Sequence, residues 1–410
     1  MTNPISKLFG SGPNGPLTAD DIINEMNAKR GTAGRPTSGP AWALVPRSPY
    51  APDQTSTSWL GGLPQAPANF KWPTDKDGMP LHFIAQIDLS AVKPPSGSTR
   101  PAGLPSDGAL LVFIGQSYAI RFISQSDMAA SISLPLPTDL PPISAHGYFG
   151  EGACFTKWPI DLVAYIDTTG ERPSCLPDPF AKAENWITTW GLAALEAEHT
   201  IEVLERELGF SAQSKAHKAR IKGTEYDVPP KPHMIKSDAY YATLDAKAPH
   251  VINTLKAFHQ QAKSRPATGD VNMAQLTKVF QVRMDLCDQI GSYMPKYVLP
   301  GRPKDVWDKI LYAHKSIYKD GDYNVLPAAY RPFIEMMIAD WRGHRLLGAE
   351  RAPPYNYEDL RGQDCVIRIA ADRLLGTTSE HEHAVSIWCP RKNIAKGIYK
   401  SGQLLRHGNG

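Results

Sequence analysis

Apolar runs of strand length lie near both ends of this chain, and the long stretch between them carries its apolar residues at helical spacing. Leu81–Leu89 and Ala109–Gly115 stand on one side, Cys365–Ile369 and Val385–Cys389 on the other. A strand cannot satisfy its backbone groups alone, so each run needs partners in a sheet. The order β-rich, α-rich, β-rich predicts an α+β protein. It leaves open whether the outer pieces share one core or stand apart.

The lead-in to the first run is rigid and irregular. Gly61-Gly62 allows a tight, close-packed turn, and Pro64, Pro67 and Pro73 each fix a φ angle. Trp59, Phe70 and Trp72 are its apolar anchors. Asp77-Gly78 signals a turn, and Leu81–Leu89 then reads as a buried strand. By the period of two, its polar members His82, Gln86 and Asp88 share one face. His82 and Gln86 are therefore a candidate binding pair lining a pocket, and a polar network in the core explains them equally well. Leu104–Gly108 is a turn into Ala109–Gly115, and Arg121–Ile123, Ala129–Pro135 and Asp161–Asp167 are further extended candidates.

From Glu184 to Leu208 the apolar positions Ile187, Trp190, Ala194, Ala197, Ile201, Leu204 and Leu208 alternate steps of three and four. That spacing predicts a helix with one narrow apolar seam, packed against another helix of the same chain. Met273–Ile290, Lys304–Tyr318 and Pro332–Trp341 are further helices. Residues 1–58 are rich in Pro, Gly, Ser and Thr, with one short amphipathic helix over Thr18–Gly31. The expected divisions are 1–58, 59–170, 171–340 and 341–410.

Trp59–Pro73, followed by Pro80–Leu89, resembles the opening signature of the YwqG-like family, a bacterial group without a defined activity. Ala109–Gly115 resembles the strand that follows and pairs with the first. His344–Gly348 is similar to the family's His-x-Leu-Leu-Gly turn, Asp364–Ile369 to the strand after it, and Val385–Cys389 to the last strand. The resemblance covers residues 55–167 and 340–410. It implies one strand-rich core formed by both chain ends, with 171–340 as a helical insertion. The family's Trp-Gly-Asp-x-Gly-like turn is replaced here by Gly376–His383, so nothing that turn does carries over.

Bulk composition is that of a globular protein, at 42% apolar and 21% charged. A net charge of +3 over 410 residues is too small to argue for nucleic acid as a partner. No stretch reaches the roughly 20 apolar residues of a membrane helix. Five scattered cysteines without a CxxC pair, and no signal-peptide pattern, point to the cytoplasm.

Four features carry candidate chemistry. In Glu380–His383, His381 and His383 would point to one side of an extended segment, where a third ligand would complete a metal site. Glu382 or Asp372 is the carboxylate offered for that reading. Glu196, Glu198, His199 and Glu202 read as a solvated helix face, because no other helix repeats the Glu-x-x-His spacing of a carboxylate metal site. Lys215, Lys218, Arg220 and Lys222 are candidate binding residues in a solvated loop between helices, suited to phosphates or to an acidic protein surface. Cys154 and Cys389 lie beside apolar residues and read as structural. The chain has no GxSxG elbow, P-loop, HExxH or GxGxxG after a strand.

No cofactor is implied and the sequence sets no oligomeric state. The expected function is non-enzymatic binding of another protein. Members of the resembling family occur in toxin–immunity gene neighbourhoods, which implies an immunity-like role. The alternative is a metal-dependent enzyme using Glu380–His383.

Overall fold

The structure is a computed structural model that describes residues 39–48, 56–146, 152–168, 172–176, 186–224, 226, 232–290, 306, 309–310, 326–341, 343–348, 360, 362–372, 374–377 and 383–408. The chain forms two compact units. One comprises Met1–Arg47, Ala51–Leu176 and Trp341–Gly410, the other Ser48–Tyr50 and Pro177–Asp340. The helix expected over Thr18–Gly31 and most of that over Lys304–Tyr318 fall outside the described residues.

The first unit contains β1 (Gly39–Pro46), β2 (Trp59–Leu60), β3 (Gln65–Ala66), β4 (His82–Asp88), β5 (Ala109–Ile114), β6 (Tyr118–Ile123), β7 (Ile132–Ser133) and β8 (Trp158–Asp167). After the helical unit come β9 (Arg345–Leu346), β10 (Gln363–Ile369), β11 (His383–Pro390) and β12 (Gln403–Gly408). Ten of these strands make one antiparallel sheet, in the order β12-β11-β10-β9-β1-β8-β2-β4-β5-β6. The protein is α+β, and a single sheet uses both chain ends.

The two edges of that sheet approach each other. Tyr118, at the start of β6, donates its hydroxyl to Tyr399 O at 2.6 Å and accepts the Gly402 N–H, just before β12, at 2.6 Å. Arg406 on β12 donates to Gly115 O at 2.9 Å and to His146 O at 2.6 Å. Edge strands are thus tied by side chains, and the sheet curls towards a barrel.

β1 is a central strand from a stretch whose Pro- and Gly-rich composition argued against a core. It pairs with β8 over eight residues and with β9 at Trp42 and Ala43. Ala41, Trp42, Ala43 and Leu44 are fully buried, and the Trp42 indole N–H donates to Lys93 O at 2.7 Å. Its partners are distant in sequence, so local composition held no sign of them. The expected Gly61-Gly62 turn forms, with Gly61 at φ +64°, and a Cβ there would stand 2.0 Å from Thr156 O.

Two short helices, α1 (Gln125–Ala129) and, near the C-terminus, Arg391–Ile394, belong to the sheet unit. The extended candidate over Ala129–Pro135 reduces to the end of α1 and the two-residue β7.

The helical unit contains α2 (Trp190–Ile221), α3 (Pro232–Lys263), α4 (Met273–Ile290) and α5 (Arg331–Ala339). Thr189 caps α2, its hydroxyl accepting the Leu192 N–H at 3.2 Å. The predicted seam residues Trp190, Ala194, Ala197, Ile201 and Leu204 are buried, but so are Leu192, Ala193, Leu195 and Val203. The N-terminal half of α2 is therefore covered on more than the one narrow face expected.

The expected solvated face of Glu196 is part of this covered surface. Glu196 accepts from Arg283 of α4 at 2.6 Å, and both side chains are nearly inaccessible, at 5% and 2%. Thr200 joins them, donating to Glu196 at 3.4 Å. Glu198 and Glu202 remain outside, facing Lys309 at 3.6 and 2.8 Å. A lone acidic residue on a helix gives no sign that a distant arginine will cover it.

Removing one member of a buried pair should be far worse than replacing both. Glu196→Leu alone should lower stability to denaturant by about 3 kcal/mol or more, and Glu196→Leu with Arg283→Met should recover most of that loss. Equal losses in the single and double variants would show that the pair is not the source.

Candidate functional site

The sheet unit holds two interior polar clusters, and the helical unit holds one exposed basic segment. The first cluster crosses five strands. Arg345 on β9 lies opposite Ala43 on β1 and Arg368 on β10, Ala43 lies opposite Val163 on β8, and Arg368 lies opposite Ser386 on β11. Directly opposed residues share a face, and Tyr165 and Asp167 follow Val163 on that same face.

Asp167 accepts from Arg345 at 2.9 Å, with both side chains at 2% exposure or less. Tyr165 donates its hydroxyl to the same carboxylate oxygen at 3.5 Å. Burial, with the neighbouring Arg345 charge adding to it, lowers the Arg368 pKa to about 10. Gly348 has φ +107°, and a Cβ there would stand 2.6 Å from Asp167 Oδ2. Before it, Leu347 holds φ +57°, which is uncommon for a bulky side chain.

His344 begins the same turn and meets a different carboxylate. Its Nδ1 accepts the Ala370 N–H at 3.1 Å, so in the neutral ring the proton sits on Nε2 and faces Asp372 Oδ2 at 3.2 Å. Asp372 Oδ1 accepts the N–H of Leu374 at 2.8 Å. Thr377 closes the loop, accepting from Asp372 N at 3.0 Å and donating to Ala370 O at 2.8 Å. Both nitrogens of His344 are thus committed, and both oxygens of Asp372 already accept bonds. Residues 380–382 lie outside the described residues, and His383 opens β11 opposite Gly408.

The second cluster surrounds His82. The register of β4 on β5 slips by one between Phe83 and Ala85, so His82 lies opposite Ile114 while Gln86 lies opposite Leu111. These partners are an odd number of residues apart, hence on opposite faces of β5. The bulge corrects the expectation that His82 and Gln86 share a face, because one extra residue reverses the alternation. Gln86 is fully buried and accepts the Gln65 N–H at 2.9 Å.

His82 is 1% exposed, and its Nδ1 lies 3.1 Å from Ala153 O. A carbonyl only accepts, so Nδ1 carries the proton and Nε2 keeps a lone pair. The His146 ring stands 5.1 Å away with its plane at 80°. Burial, with His146 adding to it, lowers the His82 pKa to about 4, against the opposing effect of the Ala153 bond. Burial and the Arg406 charge lower that of His146, with Asp75 opposing. No group of three His, Cys, Asp or Glu side chains converges to hold a metal among the described residues. Cys389 is buried as expected, donating to Tyr399 O at 3.3 Å, whereas Cys154 is exposed.

The third feature is the far end of α2. Lys215, Lys218 and Arg220 are helical and Lys222 is the C-cap, where a loop was expected. Gly209 costs the helix about 1 kcal/mol, and the Ala, Lys and Arg that follow are good helix formers that carry it onward. No described side chain of α2 after Ser211 is buried, and the first buried one described on α3 is Tyr240. Lys215 pairs with Asp245 and Lys218 with Asp238, both on α3. Arg220 lies 3.2 Å from His217 Nδ1. Phe210, earlier on α2, and Tyr226, which follows α2 in sequence, are exposed at 47% and 67%.

Two outcomes follow from this geometry. The unfolded chain binds more protons at His82 than the fold does between its folded pKa of about 4 and the ordinary 6.5. Stability should therefore fall as pH drops through that window. In chelator-treated protein, His82→Asn, which keeps a donor for Ala153 O, should flatten the fall measured by denaturant titration. An unchanged pH slope would remove His82 as its cause. Separately, Gly348→Ala should destabilise the fold by roughly 2 kcal/mol or more, by combining a strained φ with a clash at Asp167. An unchanged melting temperature would contradict it.

Among the described residues no helix is long and apolar enough to cross a membrane. No curated protein matches the chain. One family does match, over residues 58–274, a range that runs from just before β2 through α3 and into the start of α4. That range is more than half of the 410 residues, so the chain belongs to the family described as domain of unknown function DUF1963.

Proposed function

We propose that this protein is a non-enzymatic, cytoplasmic binding protein that captures an acidic protein with the outer ends of α2 and α3. The observation that carries the reading is the length of α2. It continues about 15 Å past Ser211, its last buried residue, at 1.5 Å per residue. A helical extension that buries little contributes little to the core and is free to make contacts.

Its chemistry favours an acidic surface. From Gly209 to Lys222 the sequence carries four Lys or Arg and no acidic residue. Asp245 and Asp238 engage two of these cations, and Arg220 and Lys222 pair with no carboxylate among the described residues. Phe210 and Tyr226, which flank the basic residues in sequence, add exposed apolar area, the mixture typical of protein interfaces. The YwqG-like resemblance of Trp59–Pro73 and His344–Gly348 supports the more specific role of neutralising a protein toxin. Scattered free thiols support the cytoplasm.

Lys215 and Lys218 serve the α2–α3 pairing, so reversing them confounds folding with binding. Arg220→Glu with Lys222→Glu is the cleaner variant. A photo-crosslinker at Ala216 in host cells should trap a protein of acidic surface, and the purified partner should associate with the double variant several-fold more slowly at low salt. Its salt dependence should also flatten. A partner that binds the double variant at the wild-type rate, or a crosslinker that traps nothing, would overturn the reading.

A further inference from the structure

His82 and His146 stand out because three of their four ring nitrogens, all out of reach of solvent, have no hydrogen-bond partner among the described residues. Nε2 of His82 and both Nδ1 and Nε2 of His146 are buried without a hydrogen bond. Buried polar atoms are normally satisfied, and three on two adjacent rings call for a ligand. His146 ends the short turn Ile143–His146, and His82 opens β4.

The tautomer of His82 narrows the chemistry. Its Nδ1–H is held by the Ala153 carbonyl, which aims a fixed lone pair from Nε2. Histidines that bind metals characteristically donate their other ring nitrogen to a carbonyl or carboxylate in this way. Burial keeps both rings neutral near pH 7, so they offer lone pairs and not positive charge. That favours a cation over an anion. Two imidazoles on one tetrahedral ion, at bonds of about 2.0 Å, have centroids about 5 Å apart. The observed separation is 5.1 Å.

The charged neighbours act in opposite senses, Arg406 more strongly than Asp75. Arg406 bears on His146 and would repel a cation, but its guanidinium is held by the carbonyls of His146 and Gly115. The Asp75 carboxylate acts on His146 in the opposite sense.

We propose that His82 and His146 together bind a borderline divalent transition-metal ion such as Zn²⁺ through their free ring nitrogens. Neutral imidazole suits Zn²⁺, Ni²⁺ and Cu²⁺, whereas Mg²⁺ and Ca²⁺ prefer oxygen. With two protein ligands the ion keeps open positions for water or a further donor, which is the arrangement of a site that can accept a ligand.

The test uses the full-length protein stripped with chelator and titrated with Zn²⁺ by calorimetry at neutral pH. One ion per chain should bind, and His82→Asn and His146→Gln should each weaken it at least about tenfold. Thermal melts of the metal-free variants separate lost ligation from lost folding. Should either variant fail to fold, Co²⁺ loaded into the wild type gives a second readout, in ligand-field bands that report nitrogen donors and vanish on adding excess Zn²⁺. Wild-type protein that binds no Zn²⁺, equal binding in both folded variants, or Co²⁺ bands without nitrogen ligation would overturn the assignment, leaving ordered water as the partner of those nitrogens.

Discussion

The pair between Arg345 and Asp167 is the contact on which the two ends of the chain depend. β9 is only two residues long, yet it is the link between β1 and β10 in the middle of the sheet. Two residues supply few ladder hydrogen bonds, so side chains must help hold the strand in register. Arg345 reaches past β1 to Asp167 at the end of β8, and the whole exchange is buried. Two features of the turn serve this contact. Gly348 leaves room for the carboxylate, and Leu347 accepts an unfavourable φ to reverse the chain. Burying a charge pair contributes little net stability, but breaking one is expensive. The pair therefore acts mainly against wrong arrangements, and any other seating of β9 leaves a charge buried alone.

A second constraint comes from the edges. Tyr118 and Arg406 tie the strand at one edge of the sheet to the region of the strand at the other, so neither edge is left as an open template for pairing. His146 lies at this closure, its carbonyl held by Arg406 and its ring against His82. The histidine pair thus adjoins the seam where the sheet closes. The outer end of α2 stands in contrast. There the polar groups are exposed and partly paired with α3.

Of the candidate residues, the sequence placed the strand carrying His82 and the helix carrying Glu196 in the right kind of element. Their surroundings were not legible. His82 and Gln86 alternate correctly for an ideal strand, but a bulge at Ile84 sends them to opposite faces. Such a bulge is a property of the pairing with β5 and leaves no mark in β4 alone. His146, the nearest ring to His82, is 64 residues away in a Pro-rich connection without periodic pattern. Glu196 meets Arg283 only because α4 folds back on α2.

What the sequence determined by itself was local and periodic. Apolar runs at Leu81–Leu89, Ala109–Gly115, Cys365–Ile369 and Val385–Cys389 specified strands, three-and-four spacing specified α2 and α4, and Gly61-Gly62 specified a turn. These follow from side-chain direction and backbone sterics, which act over a few residues. The tertiary structure alone decided that β1 would be central, that β9 would join the chain ends, and which polar groups would be paired in the dark. Burial and Coulomb energies depend on neighbours brought from far along the chain. A residue's charge or hydrogen-bonding capacity is visible in the sequence, whereas its partner exists only once the sheet has closed.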